Sequence, residues 1–130
     1  MENSTYLRLF EGKRILIVED EYFLADDTRR KLEKLGAVVA GPTGSVRDAL
    51  DLMNAFPIDG AILDVHLGDE FVFPVAEELE RRDISFVFAT SYDPSIIPVK
   101  FTGFALCEKP TELEKIAAAL FAKDADRKLN

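Results

Sequence analysis

Apolar residues in this chain form five short runs, separated by segments in which apolar positions recur with a helical period. The runs are RILIV (14–18), AVVAG (37–41), GAILD (60–64), SFVFAT (85–90) and FALCEK (104–109). Short, nearly continuous apolar runs are typical of strands buried on both faces of a parallel sheet. The pattern therefore predicts a doubly wound α/β domain, a five-stranded parallel sheet with helices on both faces.

The helical segments carry start and stop signals. We predict helices at 21–35, 45–53, 73–82 and 111–123. A glycine follows the first helix, Ser45 and Asp48 form a capping pair at the second, and a proline suits the first turn of the third. The stretch after Thr90 contains Pro94 and Pro98, so the fourth helix, between the last two strands, is expected to be short or irregular.

The length of 130 residues fits one domain with a single core. We place that domain at residues 13–123, preceded by an N-terminal extension (1–12) and followed by a C-terminal tail (124–130). The extension contains TYLRLF (5–10), which we interpret as a fraying tail rather than a short docking segment.

Charge and cysteine usage narrow the function classes. Sixteen basic residues against 24 acidic residues give a net charge of −8, which repels nucleic acid and anionic membrane surfaces. Cys107 is the only cysteine in the sequence, which excludes a disulfide framework and indicates a reducing compartment. The sequence shows no leader pattern and no apolar run of membrane-spanning length, so we expect a cytoplasmic protein.

Polar side chains cluster where the predicted strands end. They are Glu19 and Asp20 after the first strand, Asp64 after the third, Thr90 after the fourth and Lys109 after the fifth. Ligands of doubly wound sheets bind outside the carboxyl ends of the strands, so these side chains are expected to meet at one edge. The sequence thus predicts one site with three carboxylates, a hydroxyl and an ammonium group.

A cation and a phosphoryl group together account for such a site. Asp20 with Asp64, helped by Glu19, forms an all-oxygen set of the kind that Mg²⁺ prefers, and Mg²⁺ relieves the repulsion between the acids. A magnesium site of this kind usually serves a phosphoryl group, and an aspartate can itself be the nucleophile. Lys109 and Thr90 would then contact further phosphoryl oxygens.

These residues occur in motifs that resemble the receiver domain of two-component response regulators. The matching pieces are VED (18–20), LDVHLGDE (63–70), FAT (88–90) and EKP (108–110), in the family's order. The resemblance implies a flavodoxin-like fold with strand order 2-1-3-4-5. It also implies a signalling domain, rather than an enzyme, that accepts a phosphoryl group with the help of Mg²⁺ from a histidine kinase or a phosphotransfer protein.

The resemblance assigns a role to each site residue of the acidic group. Asp64 matches the family's phosphoacceptor, Asp20 matches the carboxylate that binds Mg²⁺ directly, and Glu19 matches the second acid of that pair. The backbone carbonyl of His66 matches a further metal ligand.

The resemblance also covers the last two strands. Thr90 matches the family's switch hydroxyl, and Lys109 matches the lysine of a Lys-Pro pair whose peptide bond is usually cis, so Pro110 is a candidate cis-proline. Ordinary receivers carry an aromatic switch residue where this sequence has Leu106. Tyr92 and Phe101 are the candidates to replace it, and the sequence does not choose between them.

FATSYD (88–93) resembles the motif of the FAT GUY subgroup of receivers, with Ser91 in place of the usual glycine. That subgroup is associated with histidine kinases of the HWE type. The function expected is that of a stand-alone receiver that acts through protein–protein interaction, through a phosphorelay or as a phosphate sink.

Two other classes of function stay open. One is an aspartyl-phosphate phosphatase, which typically has a second acid where His66 stands. The other is a phosphorylation-independent binding module, either a pseudo-receiver or a flavodoxin-like cofactor binder.

Overall fold

The structure, a computed structural model, describes residues 6–90, 97–101, 106–108 and 113–129, and for residues 90, 99, 106–108 and 122–129 it describes the backbone alone. Its sheet has five parallel strands: β1 (Arg14–Val18), β2 (Val38–Thr43), β3 (Gly60–Leu63), β4 (Phe86–Thr90) and β5 (Leu106–Glu108). The strands lie in the order β2-β1-β3-β4-β5. The predicted fold class and strand order are therefore confirmed.

Four α-helices lie in the described residues: α1 (Tyr22–Lys34), α2 (Val46–Ala55), α3 (Phe73–Arg81) and α4 (Leu113–Leu129). Ser45 Oγ accepts a 3.1 Å hydrogen bond from the N–H of Asp48, as the predicted cap requires. Gly36 follows α1 with φ +88°, a left-handed conformation that ends the helix. The last helix has a kink at Phe121, whose φ of −126° and ψ of 21° are not helical, and helical backbone continues after the kink to Leu129, past the end that we predicted at residue 123.

The connection between β4 and β5 is described at residues 97–101 only. It contains a single 3₁₀ turn there, Val99–Phe101, in agreement with the prediction of a short or irregular helix between the last two strands. Phe101 is buried, and Lys100 forms a 3.0 Å ion pair with Glu77 of α3. The turn is therefore held against α3.

Alternate strand residues face two apolar layers. Leu16 and Val18 of β1 pack with residues of α2 and α3, whereas Ile15 and Ile17 pack with residues of α1 and α4. The same alternation occurs in β3 and β4. Burial of both faces explains why these strands appear in the sequence as nearly continuous apolar runs.

The segment before β1 is packed against the domain. It forms a 3₁₀ turn, Arg8–Phe10, in which Leu9 and Phe10 are buried. The ring of Phe10 meets the ring of Phe121 edge-on, with centroids 5.7 Å apart. The interpretation of these residues as a fraying tail is wrong, because their apolar side chains complete the layer beneath α4.

A short antiparallel hairpin follows β3 and precedes α3. It pairs His66–Leu67 with Glu70–Phe71. Its tight turn contains Gly68, whose φ of +61° favours glycine. This hairpin was not predicted from the sequence, and it positions residues beside an acidic cluster at the carboxyl edge of the sheet.

Candidate functional site

Three acids meet at the carboxyl edge of the sheet. The β1–β3 register ends with Val18 opposite Leu63, so Glu19 and Asp64 are the next residues along neighbouring strands. The N–H of Asp64 donates a 2.8 Å hydrogen bond to the carbonyl of Val18 and extends the pairing by one step. One carboxylate oxygen each of Glu19, Asp20 and Asp64 lies within 4.8 Å of the others. The structure thus brings together the three acids that the sequence analysis singled out.

The acids differ in their exposure to solvent. Asp64 is buried, with 5% of its surface exposed, Glu19 is half-buried and Asp20 is exposed. Glu19 and Asp64 line a cleft whose walls include Leu24 of α1 and Ile116 of α4. The carboxylates of Glu19 and Asp64 therefore face one shared cleft.

Backbone N–H groups orient two of the acids. The N–H of Glu21 donates a 2.9 Å hydrogen bond to Oε2 of Glu19, and the N–H of Gly68 donates a 2.8 Å hydrogen bond to Oδ2 of Asp20. Glu21 has a different role, because its own carboxylate accepts a hydrogen bond from the N–H of Leu24 and caps α1. Of the three consecutive acids 19–21, the first two therefore belong to the cluster and the third to the helix.

Gly44 allows the backbone to approach Asp20 closely, whereas at Gly68 a side chain would find ordinary space beside Asp20. A Cβ added at Gly44 would lie 3.1 Å from the Cα and 3.2 Å from the Cβ of Asp20, closer than most real Cβ contacts. A Cβ added at Gly68 would lie 4.0 Å from Oδ2 of Asp20. Asp20 thus lies between the β2–α2 connection and the turn of the hairpin.

Gly68 and Glu70 also contribute to the site, and neither was predicted as a site residue. Besides the Gly68 contact to Asp20, Oε2 of Glu70 accepts a 3.1 Å hydrogen bond from the N–H of Val46, the first residue of α2. The Gly-Asp dipeptide at 68–69 is a hairpin signal that was available in the sequence. The flanking segments are only two residues long, too short to show an alternating pattern.

The remaining predicted site residues are described in part. Thr90 is the last residue of β4 and pairs with Glu108, but its side chain lies outside the described residues, as do Lys109 and Pro110. A cis peptide bond occurs in the described part of the chain at Gly41-Pro42. His66 is half-buried, and its ring meets the ring of Phe71 edge-on at 5.1 Å.

The donor set of the cluster fits a magnesium ion. Its three groups are carboxylates, and hard divalent cations prefer such oxygen ligands. Three negative charges this close repel one another, and a cation between them would remove that repulsion. Glu19, Asp20 and Asp64 are therefore suited to hold Mg²⁺.

The chain is similar to known proteins in both sequence and structure. The chain is 40% identical to SdrG from Sphingomonas melonis Fr1, whose solution structure it matches with a TM-score of 0.73 over 85% of this chain and 95% of that chain. The BeF3-activated conformation of SdrG from Pseudomonas melonis Fr1 matches at 38% identity and a TM-score of 0.70, over 87% of this chain and 97% of that chain.

Two further relatives are response-regulator and sensory proteins. A response regulator protein from Burkholderia pseudomallei, solved with a phosphorylated aspartic acid, calcium ion and citrate, is 25% identical and matches with a TM-score of 0.75, over 91% of this chain and 73% of that chain. The sensory transduction protein LytT of Bacillus cereus is 36% identical over 112 residues, 82% of this chain and 45% of LytT. The chain spans less than half the length of the curated relatives it matches. None of the protein-family models matches the chain.

Sequence identity, fold and acidic cluster agree on one family. The chain belongs to the response regulator receiver domains, as its motifs predicted. Its membership of the FAT GUY subgroup stays a prediction. In the described residues, no helix combines the length and apolar character needed to cross a lipid bilayer.

Proposed function

We propose that Asp64 accepts a phosphoryl group from a histidine kinase or a phosphotransfer protein, in a reaction that requires Mg²⁺. The phosphorylated domain then acts through protein–protein interaction, through a phosphorelay or as a phosphate sink. The observation that carries this proposal is the cluster in which oxygens of Glu19, Asp20 and Asp64 lie within 4.8 Å of one another.

The geometry favours Asp64 over its neighbours as the attacking group. Its backbone continues the β1–β3 pairing, which fixes its position, and its burial keeps the carboxylate away from bulk water. Asp20 is exposed and is oriented by the N–H of Gly68, an arrangement that suits a metal ligand.

The proposed transfer is a simple displacement at phosphorus. A carboxylate oxygen of Asp64 forms the new bond to phosphorus, and the bond from phosphorus to the donor atom breaks with its electron pair leaving on the donor. Bound Mg²⁺, held by Glu19, Asp20, Asp64 and the carbonyl of His66, would neutralise negative charge on the transferred group. Thr90 and Lys109 are proposed to contact the other phosphoryl oxygens, as the family resemblance implies.

The relatives supply further support. The Burkholderia pseudomallei protein contains a phosphorylated aspartic acid and a calcium ion, and SdrG adopts a BeF3-activated conformation. We propose the same chemistry here, with phosphorylation at Asp64 and cation binding by Glu19, Asp20 and Asp64.

Intact mass spectrometry tests the proposal. The purified protein is incubated with Mg²⁺ and a small acyl-phosphate donor, alone or with excess EDTA, beside the variants Asp64→Asn and Asp51→Asn. We expect one phosphoryl adduct in the wild type and in Asp51→Asn, whose altered acid lies on the exposed face of α2, and none in Asp64→Asn or EDTA. An adduct that persists in Asp64→Asn would contradict the proposal, and Mg²⁺ binding without any adduct, from this donor or a kinase, would favour a binding module.

The donor is proposed to be a histidine kinase of the HWE type. This part of the proposal rests on the motif FATSYD at 88–93. Phosphotransfer from a purified, autophosphorylated HWE kinase is compared with transfer from an unrelated histidine kinase. Faster loading of Asp64 by the unrelated kinase would contradict it.

A further inference from the structure

Three connections meet around Asp20 and form a closed ring of contacts. Oδ2 of Asp20 accepts a 2.8 Å hydrogen bond from the N–H of Gly68 in the hairpin turn. On its other side Asp20 is packed against Gly44, which precedes α2. Two residues after each glycine, the ring closes where Oε2 of Glu70 accepts a 3.1 Å hydrogen bond from the N–H of Val46.

We propose that Glu70 is a positioning residue for the cation site: by bonding Val46, it holds the hairpin turn and the β2–α2 connection closed on Asp20. The inference deepens the proposed function and rests on it, because it concerns the site proposed to bind Mg²⁺. In this account Glu70 acts through Gly68 and Gly44 and is not itself a ligand.

The hairpin needs an anchor of this kind. Each of its strands has two residues, and an isolated two-stranded hairpin is at best marginally stable in water. The first N–H groups of a helix lack an intrahelical partner and attract negative charge, so the N–H of Val46 favours the carboxylate of Glu70. The anchor thus uses a helix terminus that would otherwise be satisfied by water.

A fixed hairpin turn should strengthen cation binding at Asp20. Groups that orient metal ligands typically change metal affinity by about 10- to 100-fold when they are mutated. Gly68 contacts Asp20 directly, whereas Glu70 acts one step further away. We therefore expect loss of the Glu70 contact to weaken Mg²⁺ binding by roughly 5- to 10-fold, at or below the low end of that range.

The rival explanation is that Glu70 adds negative charge near the cation. The two explanations differ for Glu70→Gln, which loses the charge but keeps an oxygen that can accept the hydrogen bond from Val46. They also differ for Asp69→Asn, which removes one charge from an exposed neighbour in the same hairpin.

Isothermal titration of each metal-free protein with Mg²⁺ measures the effect. We expect Glu70→Ala to weaken binding, whereas Glu70→Gln and Asp69→Asn bind within about twofold of the wild type. Equal weakening in Glu70→Ala and Glu70→Gln would assign the effect to charge and overturn the proposal, as would wild-type affinity in Glu70→Ala.

Amide exchange of the metal-free protein separates failure of this inference from failure of the proposed function. The N–H of Gly68 should exchange faster in Glu70→Ala than in the wild type or Glu70→Gln, whether or not Mg²⁺ binds. A wild type that binds no Mg²⁺ would overturn the metal site, and unchanged exchange at Gly68 would overturn the positioning role. Thermal unfolding of all variants confirms that they are folded.

Discussion

The ring of Phe101 stacks on the ring of Phe73, with centroids 5.9 Å apart and ring planes 18° apart. Phe73, the first residue of α3, also stacks on Phe71 at 5.6 Å, and Phe71 meets the ring of His66 edge-on. A row of rings therefore connects the residue two positions after Asp64 to the 3₁₀ turn between β4 and β5.

This row of rings offers a replacement for the aromatic switch residue, which the sequence lacks at Leu106. Leu106 occupies the position where ordinary receivers have an aromatic residue, and the sequence left Tyr92 and Phe101 as replacements. Tyr92 lies outside the described residues. Phe101 is buried against Phe73 and Phe88, so a change near His66 has a packed route to Phe101.

Truncation of Phe101 should cost far more stability than truncation of Phe71. Phe101 is 1% exposed and Phe71 is 46% exposed. We expect Phe101→Ala to lower the free energy of unfolding by about 3–5 kcal/mol, because it leaves a cavity in the core, and Phe71→Ala to lower it by less than about 1 kcal/mol. Urea denaturation measures both. Equal losses would contradict the burial of Phe101 in this structure.

We expect binding of a phosphoryl analogue at Asp64 to change the 3₁₀ turn at 99–101 through this row of rings. Addition of Mg²⁺ and beryllofluoride is expected to change amide exchange at residues 97–101 in the wild type. Phe73→Leu removes the aromatic ring that lies between Phe71 and Phe101. We expect this variant to show less than half of the wild-type change in amide exchange, although beryllofluoride still binds at Asp64.

Phe86→Leu is the matched control for that experiment. It makes the same chemical change in a ring that contacts Phe101 and Phe88, outside the row that leads to His66. The exchange response at 97–101 should persist in this variant. A response that is equal in Phe73→Leu and the wild type would exclude the row as the route.

Charge repulsion within the cluster predicts opposite effects of Asp20→Asn with and without Mg²⁺. In EDTA the variant should be more stable than the wild type by about 1 kcal/mol, or roughly 3–6 °C in melting temperature, because one repelling charge is gone. Mg²⁺ at ten times its Kd should stabilise the wild type by about 1.4 kcal/mol, and most of this gain should be lost in Asp20→Asn.

Thermal unfolding of wild type, Asp20→Asn and Asp51→Asn, each in EDTA and in Mg²⁺, checks this prediction. Asp51→Asn removes an exposed acid of α2 and should show the full Mg²⁺ gain. A melting temperature of the wild type that is the same in EDTA and in Mg²⁺ would contradict the cation site.

The fold and the acidic cluster were predictable because both follow from strand burial. Strands covered on both faces appear as apolar runs, and parallel strands end at one edge, so Glu19 and Asp64 had to be neighbours. The hydrogen bonds of Gly68 and Glu70 were not predictable in this way. They depend on a two-residue turn and on contacts between residues 24 and 48 positions apart in the sequence, which no local pattern encodes.

The packing of Phe10 was missed for a related reason. The N-terminal segment is too short to show a periodic pattern, and terminal residues are usually poorly ordered, so a tail was predicted. Its burial depends on Phe121, which is far from Phe10 in the sequence and comes into contact with it only in the folded chain.

The C-terminal end of α3 contains a charged network that makes stability depend on pH. Hydrogen bonds from Arg81 and Arg82 lower the pKa of Glu78 to about 2, from an ordinary value of 4.5. Arg82 also donates hydrogen bonds to the carbonyl of Met53 and to Oδ1 of Asn54, at 2.8 and 2.6 Å. Ionised Glu78 therefore helps to hold the guanidinium group that joins α3 to α2.

The sign of the pH effect follows from the lowered pKa of Glu78. Its ionised form is favoured by folding, so its contribution to stability is complete above about pH 4.5 and is lost as the pH falls toward 2. We expect Glu78→Gln to be less stable than the wild type at pH 6, with a gap that narrows between pH 4.5 and 2. Urea denaturation at several pH values measures the gap. Glu80→Gln, which alters an exposed acid of the same helix, is the control, and an equally narrowing gap there would assign the effect to general charge rather than to the arginine pair.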